Sequence, residues 1–409
     1  MRPRILAVVL AALLAAAPAC SPTGTKANPP GARHGAAHTG ARGAATGSVR
    51  LSQGSPSRAR AGSAHTAAKE VPSGLRRLRL VKVLTGEITP KSVAATGAGL
   101  VFAQNMIYQH SVTVYDRRLR LVKTIPDRIR LSRYGYPQYP GSFQGGPVEA
   151  AFSPDAKFAY VTNYSMYGPG FDHPGSDSCS PSSGIDRSFV YRIGFQHLHV
   201  NAAIEVGSVP KVVAVTPNDR FVLVSNWCSY DLSVISVDKA RQVRRIPIGR
   251  YPRGIAVPPT SRMAYVAVMG SSDIAKVSLS TFNVRWIRGV GSEPRALVLS
   301  PDAKFLYATL NGTGEVVKID RSNDHVVGRV HTGTEPRSMA IAPDGKALYV
   351  VNYDSQTVTK VRTRDLHVIQ TVRTNVHPIG ITYDGPAHRV WVACYSGSVM
   401  VFDDAASAG

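Results

Sequence analysis

From about residue 75 to residue 404 the chain alternates apolar and polar positions in short runs. "FAYVTN" (158–163), "FVLVSN" (221–226), "MAYVAV" (263–268), "FLYATL" (305–310), "ALYVVN" (347–352) and "RVWVAC" (389–394) each interleave aromatic and aliphatic residues. Period-two patterning of this kind predicts half-buried strands, not helices. Each run follows an apolar segment such as "ALVLS" (296–300) or "SMAIA" (338–342), across a turn such as "SPDAK" (153–157 and 300–304), "TPNDR" (216–220) or "APDGK" (342–346). Proline fixes φ in these turns, and Asp and Gly tolerate the left-handed conformation they need. A third run, "GEVVKID" (314–320), and a fourth, "VVGRVHTG" (326–333), complete a unit of four antiparallel strands.

The unit recurs. Pro210, Pro252, Pro294, Pro336 and Pro378 stand 42 residues apart, while Pro147 lies 63 before Pro210 and Pro90 lies 57 before Pro147. Removing insertions of 21 and 15 residues from those two gaps leaves seven units. A strand-rich period of about 40–45 residues is the mark of a β-propeller blade, which buries its faces only against its neighbours. The last unit supplies three strands. "LRLVKVLTG", Leu78 to Gly86, fits the vacant fourth slot and would close the ring, removing an open edge. The expected fold is all-β: a seven-bladed propeller of four-stranded antiparallel blades over 74–404, closed by the N-terminal strand joining the last blade, with a tail at 405–409.

"AYVTN" (Ala159–Asn163) and "LYVVN" (Leu348–Asn352) resemble the YVTN family of β-propeller repeats, of the YncE-like kind. The resemblance covers roughly 75–404. It implies the propeller firmly and the function weakly, because the family hosts several roles. Seven-bladed relatives of this look include lactonases that open sugar lactones and lyases that open antibiotic lactones. No position here matches their catalytic residues, and none is carried over.

The ends add a location. Arg2 and Arg4 precede the apolar run Ile5–Ala17, which ends in "APACS" around Cys20. This reads as a signal peptide over 1–20 and resembles a bacterial lipobox, with Cys20 as the lipidated residue. Residues 21–73 are Ala, Gly, Ser, Thr and Pro with scattered basic residues, a composition that predicts a disordered tether spanning about 40 Å. The formal charge is +22, but the first 69 residues hold nine Lys or Arg and no acid. The remaining chain has 39 basic and 26 acidic residues, a net +13.

Function is expected on one face of the propeller. The connections between second and third strands, and between successive blades, share that face. Both insertions, 128–146 and 165–188, fall there, and long loops on a rigid frame commonly carry function. The residues after the register prolines are Lys91, Val148, Lys211, Arg253, Arg295, Arg337 and Ile379. Five of the seven are basic, and such a ring at the channel mouth would focus field on an anion. Two readings stay open: ligand contacts, or salt bridges clipping blades together, with Glu293 and Glu335 as local partners. Tyr164, Trp227, Tyr353 and Tyr395 stand just past the second strands and are candidate binding residues. The asparagines at the preceding position of four units (Asn105, Asn163, Asn226 and Asn352) read as strand caps. In an exported chain Cys179 and Cys228 are placed to form a disulfide, leaving Cys394 as a buried thiol.

Enzyme signals are poor: no HExxH, GxSxG, P-loop or zinc-spaced cluster is present. Asp172, His173, Asp177 and Asp186 in the 165–188 loop offer weak potential for a divalent cation, and no cofactor is expected. The reading is a lipid-anchored or secreted extracytoplasmic propeller, touching the outer face of the membrane through Cys20 alone. It is expected to be a monomeric binding or scaffold module for an anionic protein or cell-envelope polymer, with nucleic acid disfavoured. The alternative is a lactonase-like or lactone-lyase-like enzyme using the same face.

Overall fold

The computed structural model describes residues 70–405. The signal segment, Cys20, most of the tether and the last four residues lie outside them. Seven antiparallel sheets contain 29 strands, and the only helical elements among the described residues are four short 3-10 turns. In blades one and three to six the four strands pair in chain order, innermost first.

Blade seven closes the ring. Its first three strands are Pro378–Asp384, Arg389–Cys394 and Ser398–Ala405, and its outermost strand is Arg77–Leu84. Leu78 pairs with Asp404 and Leu84 with Val399. A buried polar knot sits behind this seam. Lys360 of blade six and Asp404 form an ion pair with both side chains fully buried. Tyr349 and Tyr383 donate to the same carboxylate at 2.6 and 3.2 Å, and Lys360 Nζ donates to the Arg76 carbonyl at 2.9 Å. Residues 70–73, assigned to the tether by composition, pack on blades six and seven. The Ser73 amide donates to Asp344, and Glu70 pairs with Arg76 and with His388.

Blade two has a fifth, two-residue strand, Arg128–Ile129, contributed by the first insertion. Apart from the exposed Tyr167, the aromatics of the two insertions pack on each other. Tyr139 stacks on Phe171 at 4.8 Å between ring centroids, and Ile129, Leu131, Phe143, Met166 and Phe189 surround them. Each blade interface otherwise carries its own apolar cluster, fed by alternate strand residues such as Leu348 and Val350 or Tyr349 and Val351.

Candidate functional site

The register proline begins the innermost strand, and its neighbour is displaced by a bulge. Pro210 pairs with Asn226 and Val212 with Ser225, so Lys211 has no partner. The ladder slips at the same place after Pro90, Pro252, Pro294, Pro336 and Pro378. A bulge turns a side chain out of its pleat. Here it aims Lys91, Lys211, Arg253, Arg295, Arg337 and Ile379 at a common cavity of about 430 Å³. In blade two the slip covers both Val148 and Glu149.

A second repeated device sets the cavity's aromatic wall. The residue before the proline holds a left-handed conformation: Val209, Tyr251, Glu293, Glu335 and His377 have φ between 53° and 58°. Such a backbone costs a branched or bulky residue about 1–3 kcal/mol and persists where surroundings enforce it. Its carbonyl accepts the amide of the residue just past the second strand: Trp227 on Val209, Met269 on Tyr251, Asn311 on Glu293, Tyr353 on Glu335 and Tyr395 on His377. Tyr353 and Tyr395, with Trp227, Tyr164, Met106 and Met269, line the cavity. Trp227 stacks on Tyr251 and Tyr353 on His377, each at 4.3 Å. The preceding asparagines are structural. Asn226 Nδ2 donates to Asp231 and Ser233, and Asn352 Nδ2 to Thr332, Thr357 and Thr359.

All nine proposed ligand residues therefore meet at one place, and their charges are unequally balanced. Lys211 Nζ binds Asp177 Oδ1 at 2.8 Å and lies 4.3 Å from the Tyr164 ring centre. Asp177 also accepts from the Tyr164 hydroxyl at 3.2 Å, and its carbonyl accepts from the Trp227 indole at 3.0 Å. Arg337 is held by Glu335 at 2.5 Å and lies over the Tyr353 ring at 3.5 Å. Arg253 and Arg295 make no ion pair among the described residues, although they are only 6% and 7% exposed. Glu293 does not reach Arg295; it accepts from the Asn311 amide instead. Arg295 donates to the Arg337 carbonyl at 3.2 Å, and Arg253 lies 5.6 Å from the Trp227 ring centre.

Burial and the neighbouring guanidinium groups work against the charge of Arg295, and burial does so for Arg253. Guanidinium does not give up its proton in proteins, so the repulsion persists. Lys211 yields instead: burial and Arg253 outweigh Asp177 and lower it to about 7. Burial opposes ionisation of Asp177, yet Lys211 and Arg253 hold its carboxyl at about 2. Glu149 is pushed upward by burial despite Lys91 and Arg253 nearby.

The disulfide shapes the rim. Cys179 and Cys228 are joined, with Cα atoms 5.3 Å apart, and Cys394 is a buried free thiol. The bridge ties the 165–188 loop to blade three and carries Asp177 over the cavity. The loop's acids diverge: Asp186 accepts from the His173 amide while Asp177 serves Lys211. No cluster of three metal-ligating side chains is found among the described residues. A larger cavity of about 510 Å³ lies on the opposite face at the ring closure, but there Arg76 is paired with Glu70, which also lies 2.9 Å from His388 Nε2.

Sequence spacing identified the cations and aromatics but assigned Asp177 only to a possible metal loop. Glu149 stands two residues past its proline, inside the slip of blade two, and so lies outside the residue-after-proline register that located the cations.

A family model described as a lactonase with a seven-bladed β-propeller matches residues 290–378, which include Arg295, Arg337 and Tyr353. No curated protein matches the chain. Among solved structures, a chain of Kuenenia stuttgartiensis hydrazine synthase is similar in fold. Its TM-score is 0.63 at 19% identity, over 79% of this chain and 98% of that one.

Proposed function

We propose that this protein is a non-catalytic binding module whose channel-mouth cavity receives an anionic group of a cell-envelope polymer or partner protein. The carrying observation is the pair Arg253 and Arg295: two buried cations from adjacent blades with no carboxylate partner among the described residues. An uncompensated buried charge costs several kcal/mol, and a bound anion offsets that cost. The aromatic walls add contact for a sugar ring, aromatic group or other flat moiety beside the anion. The Cys179–Cys228 disulfide and the signal-like segment ending at Cys20 support an exported, lipid-anchored setting, where wall polymers are accessible. The test is Trp227 fluorescence during titration with inorganic polyphosphate at low and high salt. A saturable response that weakens with salt and disappears in Arg253→Gln/Arg295→Gln supports the reading. No response, or one that the double variant retains, removes it.

A second reading is lactone opening, favoured by the family match across blades five and six. Hydrolysis at a lactone carbonyl develops an oxyanion, which the same guanidinium groups would stabilise. Steady-state turnover of simple sugar lactones, lost in Arg295→Gln, would move this reading ahead.

A further inference from the structure

Of the two lysines that line the cavity, Lys91 alone has no polar partner among the described residues. It sits on the bulge of blade one, is 4% exposed, and still lines the 430 Å³ space. Its Nζ makes no ion pair and no hydrogen bond among the described residues; its nearest aromatic contact is the Tyr395 ring, 5.6 Å away. Lys211, by contrast, is held by Asp177. The charged groups facing Lys91 are Arg253, Arg295 and Lys211, which repel its proton, and Glu149, which attracts it. Burial is the largest influence and acts in the same direction as the guanidinium groups, so the amine is held well below its usual range. Burial also drives Glu149 toward its neutral form, which weakens the one opposing charge. A desolvated amine beside fixed cations is an activated nucleophile.

We propose that Lys91 is a carbonyl-reactive lysine, forming a reversible imine with an aldehyde on an anionic ligand seated against Arg253 and Arg295. This rests on the anion-binding reading of the cavity. The Nζ lone pair attacks the aldehyde carbon, and the carbonyl π pair moves to oxygen, which takes a proton. The nitrogen loses a proton to give a neutral carbinolamine. The hydroxyl takes a proton from solvent and leaves as water, the second nitrogen proton returns to solvent, and a carbon–nitrogen double bond remains. One amine and one aldehyde become one imine and one water, with no oxidant or reductant. The guanidinium groups hold the ligand's anion, and the cavity fixes the aldehyde near Nζ.

The probe is pyridoxal 5′-phosphate, which carries phosphate and aldehyde together. Imine is trapped with borohydride and mapped by peptide mass spectrometry. Pyridoxine 5′-phosphate, which has the phosphate and no aldehyde, measures anion binding alone. Lys91 should be labelled at least roughly tenfold faster than exposed Lys239 and Lys346 at neutral pH, because the cavity seats the phosphate and holds the aldehyde beside its amine. Lys91→Arg should abolish that label, and its pyridoxine 5′-phosphate affinity, measured alongside, separates loss of the imine from any change in anion binding. Lys91→Met, checked for an unchanged melting transition, guards against a folding artefact of the arginine. Binding of pyridoxine 5′-phosphate without selective labelling of Lys91 overturns the imine proposal and leaves the anion cavity standing. Absence of binding by both compounds overturns the anion reading and this proposal with it.

Discussion

Arg295 Nε donates to the main-chain carbonyl of Arg337 in the next blade, 3.2 Å away. The bond spans one repeat and fixes a guanidinium group between two others, Arg253 and Arg337, which both disfavour its charge. The fold holds this cation where it has no acid to meet. Arg295→Gln should therefore keep or raise thermal stability while weakening anion binding by about ten- to a hundredfold, the range for losing a charged hydrogen bond. Calorimetric melting and a binding titration on the same variant check both halves. A marked loss of stability would show that Arg295 is structural.

Lys211 gives a pH dependence of binding. Its amine is lowered to about 7, by burial first and Arg253 next. Anion affinity should fall as pH rises through about 7, where the free protein's amine loses its proton. Stability should move the opposite way. The unfolded chain holds that proton up to the ordinary lysine range, so this group's contribution increases from about pH 7 toward 10. Lys211→Arg should flatten the binding profile near neutrality. A profile that keeps its break in the variant would assign the titration elsewhere.

Asp127 works in the other direction. It is buried, with neither carboxylate oxygen hydrogen-bonded among the described residues, and Asn163 Oδ1 is likewise unpartnered. Both crowd Gly145, where a Cβ would come within 2.4 Å of the Asn163 oxygen and 3.0 Å of Asp127 Oδ2. Burial holds the Asp127 carboxyl well above its usual range. A raised folded-state pKa means that its contribution is fully present below about pH 4 and is lost as pH rises through the folded value. Asp127→Asn should remove that loss and stabilise the protein at pH 8 by about 1–3 kcal/mol. Melting temperatures of both forms between pH 4 and 8 decide it; parallel curves would contradict the assignment.

The Cys179–Cys228 bridge closes a sequence separation of 49 residues. Its loss in Cys179→Ser/Cys228→Ser should cost about 2–4 kcal/mol and free the loop that carries Asp177. With Asp177 displaced, Lys211 loses its partner, so the binding break near pH 7 should move downward. Denaturant unfolding and the pH profile of binding test the two consequences separately.

Much of this was legible in the sequence because a propeller repeats its geometry. One proline register located six bulged positions and four cavity aromatics, and the missing last strand pointed to Leu78–Gly86. Side-chain partner choice was less legible. Glu293 and Glu335 have the same spacing to Arg295 and Arg337, yet only Glu335 pairs with its arginine. The difference lies 18 residues on, where Asn311 offers Glu293 an amide and Tyr353 offers Glu335 none. Asp177 was hidden for another reason: a long loop has no periodicity, so nothing local tells that it folds back over Lys211. Tyr134, Tyr136 and Tyr139 suit a packed loop or a sticky surface by composition, with packing on the rim the favoured reading, and their place in one cluster with Phe143, Phe171 and Phe189 agrees with packing.

The most direct measurement is isothermal calorimetry of the purified protein with inorganic pyrophosphate at low and physiological salt, beside Arg253→Gln/Arg295→Gln. The wild type should bind one pyrophosphate per chain in a saturable, salt-sensitive manner, and the double variant should lose this binding while remaining folded. Equal binding by the variant, or none by the wild type, would contradict an anion site at the channel mouth.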